Sequence, residues 1–106
     1  MDLAEAHREA LHSLLSSDSQ LLTLNLGSGK GASVLDVVKA MEVASQREIP
    51  YRIAPRRLGD AAITVADPTL AAQQFHWKTQ RSLADICRDG WAWQQANPNG
   101  YGDECL

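Results

Sequence analysis

Apolar residues recur at helical spacing in four separate stretches of the chain, and this repetition limits the fold more than any other feature. The spacing predicts helices over residues 2–16, 34–45 and 68–75. A fourth helix begins after Ser82 and ends at the turn sequence Asn-Pro-Asn-Gly of residues 97–100. Each apolar stripe has to be buried against another element, so the chain must fold around packed helices.

Three of these helices carry local start signals. Ser33 and Ser82 are good N-cap residues, and each is followed three positions later by an aspartate that suits the positive end of the helix dipole. Asp67-Pro68 is a third start signal, because aspartate caps and proline at the first helical position loses no hydrogen bond.

Short apolar runs separate the helices. Residues 21–26 read as a buried strand, residues 49–54 as a strand that begins beside Pro50, and residues 63–66 as a weaker strand. The order helix, strand, helix, strand, strand, helix, helix predicts a small α/β fold in which helices pack with a few short strands. At 106 residues, we expect the whole chain, 1–106, to form a single domain.

The charge balance excludes some classes of partner. The formal net charge is −3, so long-range attraction to a nucleic-acid backbone is not expected. The apolar runs are far shorter than the roughly 20 residues that cross a bilayer, and the first residues do not resemble a secretory leader. We therefore expect a cytoplasmic protein with no membrane partner, whose two thiols, Cys87 and Cys105, stay reduced.

A glycine-rich loop, Gly27-Ser28-Gly29-Lys30-Gly31, precedes the second helix. Glycines before a helix often cradle phosphate, but this spacing fits neither the P-loop nor the dinucleotide fingerprint. A tight turn that lets the backbone pass close to a ligand or to another segment explains the glycines better.

Metal and catalytic patterns are missing from the sequence. His7 and His12 are five residues apart on one helix, and His76 has no ligand at metal-site spacing. There is no G-x-S-x-G elbow, and neither tyrosine is followed by lysine four residues later. We expect no metal site and no catalytic residue on this chain.

The central sequence Ala-Pro-Arg-Arg-Leu-Gly-Asp, residues 54–60, is the best candidate site. An arginine fork matches phosphate oxygens, and a nearby carboxylate can accept hydrogen bonds from sugar hydroxyls. The alternative is a solvated pair of arginines at a strand end. The residues alone therefore indicate a soluble α/β domain with a candidate anion site, and leave both interpretations open.

In order and spacing, six motifs resemble the C-terminal third of the UDP-glucose 4-epimerase family, which belongs to the extended short-chain dehydrogenases/reductases. They are MDLAEAH, NLGSGKGASVLDVVKA, APRRLGD, ADPTLA with the following tryptophan, DGWAWQ, and NPNGY. Each motif is weak by itself, but the resemblance covers essentially the whole chain.

The resemblance implies a UDP-sugar site. In the family pattern, the arginine and aspartate of the central motif contact the UDP moiety, and these match Arg57 and Asp60. A further nucleotide-site position matches Val34. Many members carry a ligand-contacting tyrosine where this chain has Thr64. The expected substrate-binding residues are therefore Arg57, Asp60, Val34 and Thr64.

The resemblance also implies that the chemistry lies elsewhere. The complete enzymes use NAD on an N-terminal Rossmann domain and interconvert UDP-galactose and UDP-glucose. The present sequence contains neither a G-x-x-G-x-x-G motif nor a Tyr-x-x-x-Lys pair. We expect no NAD site and no epimerisation on this chain alone, and either self-association or pairing with an N-terminal NAD domain. The alternatives are a stand-alone nucleotide-sugar-binding or interaction module, and a fragment of a related decarboxylase or dehydratase.

Overall fold

Four helices make up the regular secondary structure of the computed structural model, which describes residues 1–16 and 21–101. They are α1 (Asp2–Leu15), α2 (Val34–Ser45), α3 (Thr69–Phe75) and α4 (Leu83–Ala96). These bounds confirm the helices predicted over 2–16, 34–45 and 68–75 and the one predicted after Ser82. None of the described helices is both long and apolar enough to cross a membrane.

The three predicted strands are not found in the described part of the chain. Residues 21–26, 49–54 and 63–66 lie outside helices and form no strand ladder. A strand exists only through backbone hydrogen bonds to a neighbouring strand, and an apolar run signals burial without supplying that neighbour. The strand predictions were therefore wrong for this chain, while its helical part is as expected.

The chain divides into two compact units, each made of two separate stretches. Unit 1 consists of Met1–Gly31 and Arg56–Gln80, and unit 2 of Ala32–Pro55 and Arg81–Leu106. Whether 1–106 behaves as a single domain stays a prediction.

Unit 1 is built around one tryptophan. Helices α1 and α3 pack against each other, and Trp77 is buried together with Ala6 and Ala71. Leu24, Leu26 and Phe75 pack around this cluster and are partly buried. The indole Nε1 of Trp77 donates a hydrogen bond of 3.1 Å to the carbonyl oxygen of Asp2, so the polar edge of the ring is satisfied.

Unit 2 is a pair of packed helices, α2 and α4, with matching N-terminal capping boxes. The hydroxyl of Ser33 accepts from the backbone N–H of Asp36 at 3.1 Å, and that of Ser82 accepts from Asp85 at 3.2 Å. Each aspartate in turn accepts from the backbone N–H of its serine at 2.9 Å. The serine hydroxyls also donate to the carboxylates, at 2.7 Å from Ser33 to Asp36 and at 2.6 Å from Ser82 to Asp85. These hydroxyl bonds first, and the backbone N–H bonds second, lower the pKa of both carboxyls, that of Asp85 to about 2.

Candidate functional site

Residues 57–60 of the central motif form a tight turn in unit 1. The backbone N–H of Asp60 donates to the carbonyl of Arg57 at 3.3 Å, which closes the turn across Leu58 and Gly59. Gly59 has a φ of 88°, a conformation that other residues adopt only with strain. The turn therefore explains why glycine occupies position 59, and it brings Arg57 and Asp60 close together.

Arg57 and Asp60 form an ion pair across this turn. The Nε of Arg57 lies 3.2 Å from Oδ2 of Asp60, and the arginine side chain is 86% exposed. Its terminal Nη groups make no hydrogen bond within the described residues, so both point a free donor fork toward solvent. An exposed pair of this kind adds little stability, but it leaves a cationic fork beside a carboxylate oxygen that can still accept.

The other candidate residues are exposed and form no described contact with the Arg57–Asp60 pair. Arg56 is exposed and has no partner in the described part of the chain, which fits a solvated side chain. Thr64 is also exposed and belongs to unit 1, as Arg57 and Asp60 do. Val34 is the first residue of α2, is 79% exposed and belongs to unit 2. The structure thus joins Arg57 with Asp60, and the roles of all four residues stay predictions.

The glycine-rich loop lies against residues 65–68, as the close-approach interpretation expects. A Cβ on Gly27 would lie 3.0 Å from the Cβ of Ala66, and one on Gly31 would lie 3.1 Å from Val65. Gly29, with φ of 69°, approaches the ring of Pro68 in the same way. The open side of the loop is therefore filled by the chain itself, and these glycines do not offer a cradle for the pyrophosphate of NAD.

A groove of about 370 Å³, with a mostly apolar lining and several polar side chains, lies beside this loop in unit 1. It brings the lysine Lys78 together with Ser28, Thr69 and Thr79, with Trp77 in the wall. The sequence reasoning did not single out this group, because residues 27–28 and residues 68–79, which line the groove, are far apart along the chain. The close packing of the glycine loop was the one available signal that such segments meet.

Metal chemistry has no support in the described residues, where no three histidine, cysteine or acidic side chains cluster. His7 places Nδ1 2.8 Å from the carbonyl of Leu3 on its own helix, which is a local structural contact. Cys87 is a buried free thiol of unit 2, whereas Cys105 lies outside the described residues.

Two aromatic contacts in unit 2 involve the last sequence motifs. The guanidinium of Arg47 lies 5.1 Å from the ring centroid of Trp91, within cation–π range. The rings of Trp93 and Tyr101 meet edge to face at 5.6 Å. The Trp-x-Trp and Asn-Pro-x-Gly-Tyr motifs thus pack on each other at the end of α4.

Comparison with known sequences finds close relatives among UDP-glucose 4-epimerases. The enzyme from Dictyostelium discoideum is 48% identical over 103 residues, which are 97% of this chain and 30% of the relative. That from Bacillus subtilis is 48% identical over 101 residues, or 95% of this chain and again 30% of the relative. The chain thus spans about a third of the length of the curated relatives it matches. No protein-family model matches it.

Solved structures show the same likeness. The chain matches UDP-glucose 4-epimerase from Bifidobacterium longum, in complex with NAD+ and UDP, with a TM-score of 0.83 and 39% identity. It matches the Stenotrophomonas maltophila enzyme, with bound NAD and formylated UDP-arabinopyranose, with a TM-score of 0.82 and 44% identity. These matches cover 94% and 92% of this chain and 29% of each neighbour. The resemblance and the fold class expected from the motifs are thereby confirmed.

Proposed function

We propose that this chain, which is homologous to UDP-glucose 4-epimerases over almost its whole length, is the UDP-sugar-binding portion of such an enzyme. The observation that carries the proposal is the match to epimerases that bind UDP or a UDP-sugar, at 39% and 44% identity, together with the Arg57–Asp60 ion pair of this chain. The complete activity would be NAD-dependent interconversion of UDP-galactose and UDP-glucose, with the hydride chemistry supplied by the portion that this chain does not match.

The roles of the site residues follow from their chemistry. The free Nη fork of Arg57 neutralises the diphosphate of the ligand through charge-assisted, bidentate hydrogen bonds. Asp60 holds the guanidinium through Nε and accepts from a hydroxyl of the nucleotide ribose with its remaining oxygen. Val34 offers an exposed apolar contact, and Thr64 a hydroxyl in place of the tyrosine of the family pattern.

The proposed function requires two binding partners for this chain, a ligand and a protein. The ligand is a UDP-sugar, and the protein partner is an NAD-binding portion with the missing catalytic groups. A cytoplasmic location fits this function. The relatives reported above are all epimerases, which favours this assignment over a decarboxylase or dehydratase.

Titration calorimetry with UDP on this chain tests the assignment of the site. Arg57→Ala should weaken UDP binding by about tenfold to a hundredfold, because a charge-assisted pair contributes roughly 1.5–3 kcal/mol. Arg56→Ala is the matched control, since it removes an adjacent guanidinium that is also exposed, and it should change the affinity less than twofold by the small effect of an unpaired surface charge. Equal losses in the two variants would contradict the choice of Arg57.

Asp60→Ala separates the two roles of the carboxylate when UDP and inorganic pyrophosphate are compared. Pyrophosphate has no ribose, so loss of its binding reports only on the positioning of Arg57. If Asp60 acts on both, UDP should lose more affinity than pyrophosphate. Stronger binding of both ligands would contradict the proposed roles, because it would mean that the carboxylate only repels them.

Complementation tests the parent activity. Mixing the chain with the separately prepared remaining portion of the Bacillus subtilis relative and NAD should restore conversion of UDP-galactose to UDP-glucose. Absence of heat with millimolar UDP on this chain alone would exclude the stand-alone binding module, and failure of complementation by a folded mixture would count against the epimerase assignment.

A further inference from the structure

We draw no further inference here: the strongest candidate, the groove beside the glycine-rich loop of unit 1 that contains Lys78 and Thr79, carries nothing, because the hydroxyls of Ser28 and Thr69 that line it already bond to Lys30 and Asp67 within the chain and nothing in the structure shows what would occupy it.

Discussion

The contacts at the helix ends within unit 1 and within unit 2 differ in how far apart their residues lie along the sequence. In unit 2, both helices begin with a capping box that joins residues only three apart, Ser33 with Asp36 and Ser82 with Asp85. In unit 1, neither helix has a side-chain hydrogen bond from its N-cap residue. At the start of α3 the Asp67 carboxylate accepts from the N–H of Thr69 at 3.0 Å, but α1 is tied by a long-range hydrogen bond, from Trp77 to the carbonyl of Asp2. Both units bring distant segments together, and what distinguishes unit 2 is that both of its helix starts are encoded locally by capping boxes.

Both units leave large apolar side chains exposed, such as Leu21 in unit 1, at 93%, and Val43 in unit 2, at 79%. The apolar segment 21–26 is held on one face by the Trp77 cluster but lacks a backbone partner among the described residues. The site turn at Arg57 and Asp60 belongs to the same unit, so its geometry depends on the less locally encoded half of the chain.

Trp77→Ala should give the largest effect and should act on unit 1. Trp77 is 7% exposed, and truncation of a buried tryptophan costs about 3–5 kcal/mol. We expect amide protection at Ala6 and Ala71 to fall in native-state hydrogen exchange, while the amides of α2 and α4 keep theirs. Trp93→Ala, at a site 43% exposed in unit 2, is the control and should leave unit 1 unchanged. Equal loss in both units would show that they unfold together and would end the comparison.

The sequence could predict the helices because their signals are local. The Ser-x-x-Asp pairs at 33–36 and 82–85 marked two helix starts that the structure confirms. The glycine loop was also interpreted correctly, because the close approach of Gly27 to Ala66 is what its composition indicated. The strand at 21–26 could not be predicted correctly in the same way, since an apolar run does not say whether a neighbouring strand exists.

The candidate site was predictable only in part for the same reason. The turn at 57–60 and its ion pair join residues three apart, so the sequence motif contained them. Thr64 and Val34 were predicted from the family resemblance. The groove around Lys78 was predicted neither from a motif nor from the resemblance, because its lining residues meet only in the folded chain. How much of the site could be predicted from the sequence was limited by its dependence on distant segments, and not by how clear its motif is.

Two glycine-to-alanine substitutions, one in each unit, should change the free energy of unfolding in opposite directions. Gly59→Ala places a side chain at φ of 88° and should destabilise the turn by about 1–2 kcal/mol through backbone strain alone, since an added Cβ meets no atom within 4 Å. Gly90→Ala lies inside α4, also meets no atom, and should stabilise unit 2 by about 1 kcal/mol through helix propensity. Urea unfolding measures both changes, and calorimetry with UDP should show weaker binding for the first variant only.

Ser82→Ala should have a smaller effect that is confined to unit 2. Loss of the capping hydroxyl costs about 1 kcal/mol and leaves the N–H of Asp85 without its partner. Far-ultraviolet circular dichroism should show lower helix content on mild heating. Ser82→Asp is the informative companion, because an aspartate at the N-cap restores an acceptor and should recover most of the loss. No recovery would indicate that the box contributes through packing instead.

The smallest effect is the pH dependence of the same box. The hydrogen bonds from Ser82 and, secondarily, from Arg88 lower the pKa of Asp85 from its ordinary value of 3.8 to about 2. A carboxyl whose pKa is lowered by folding adds stability that is fully present above its ordinary pKa and is lost as the pH falls toward the folded value. Helix content should therefore decrease between pH of about 4 and about 2. Asp85→Asn removes the titrating group and should flatten this part of the profile. A variant that keeps the full decrease would place the acid sensitivity outside α4. The next groups to test are Asp36 of α2, whose pKa is lowered by Ser33, and Asp67 of unit 1, whose pKa is lowered by Thr69.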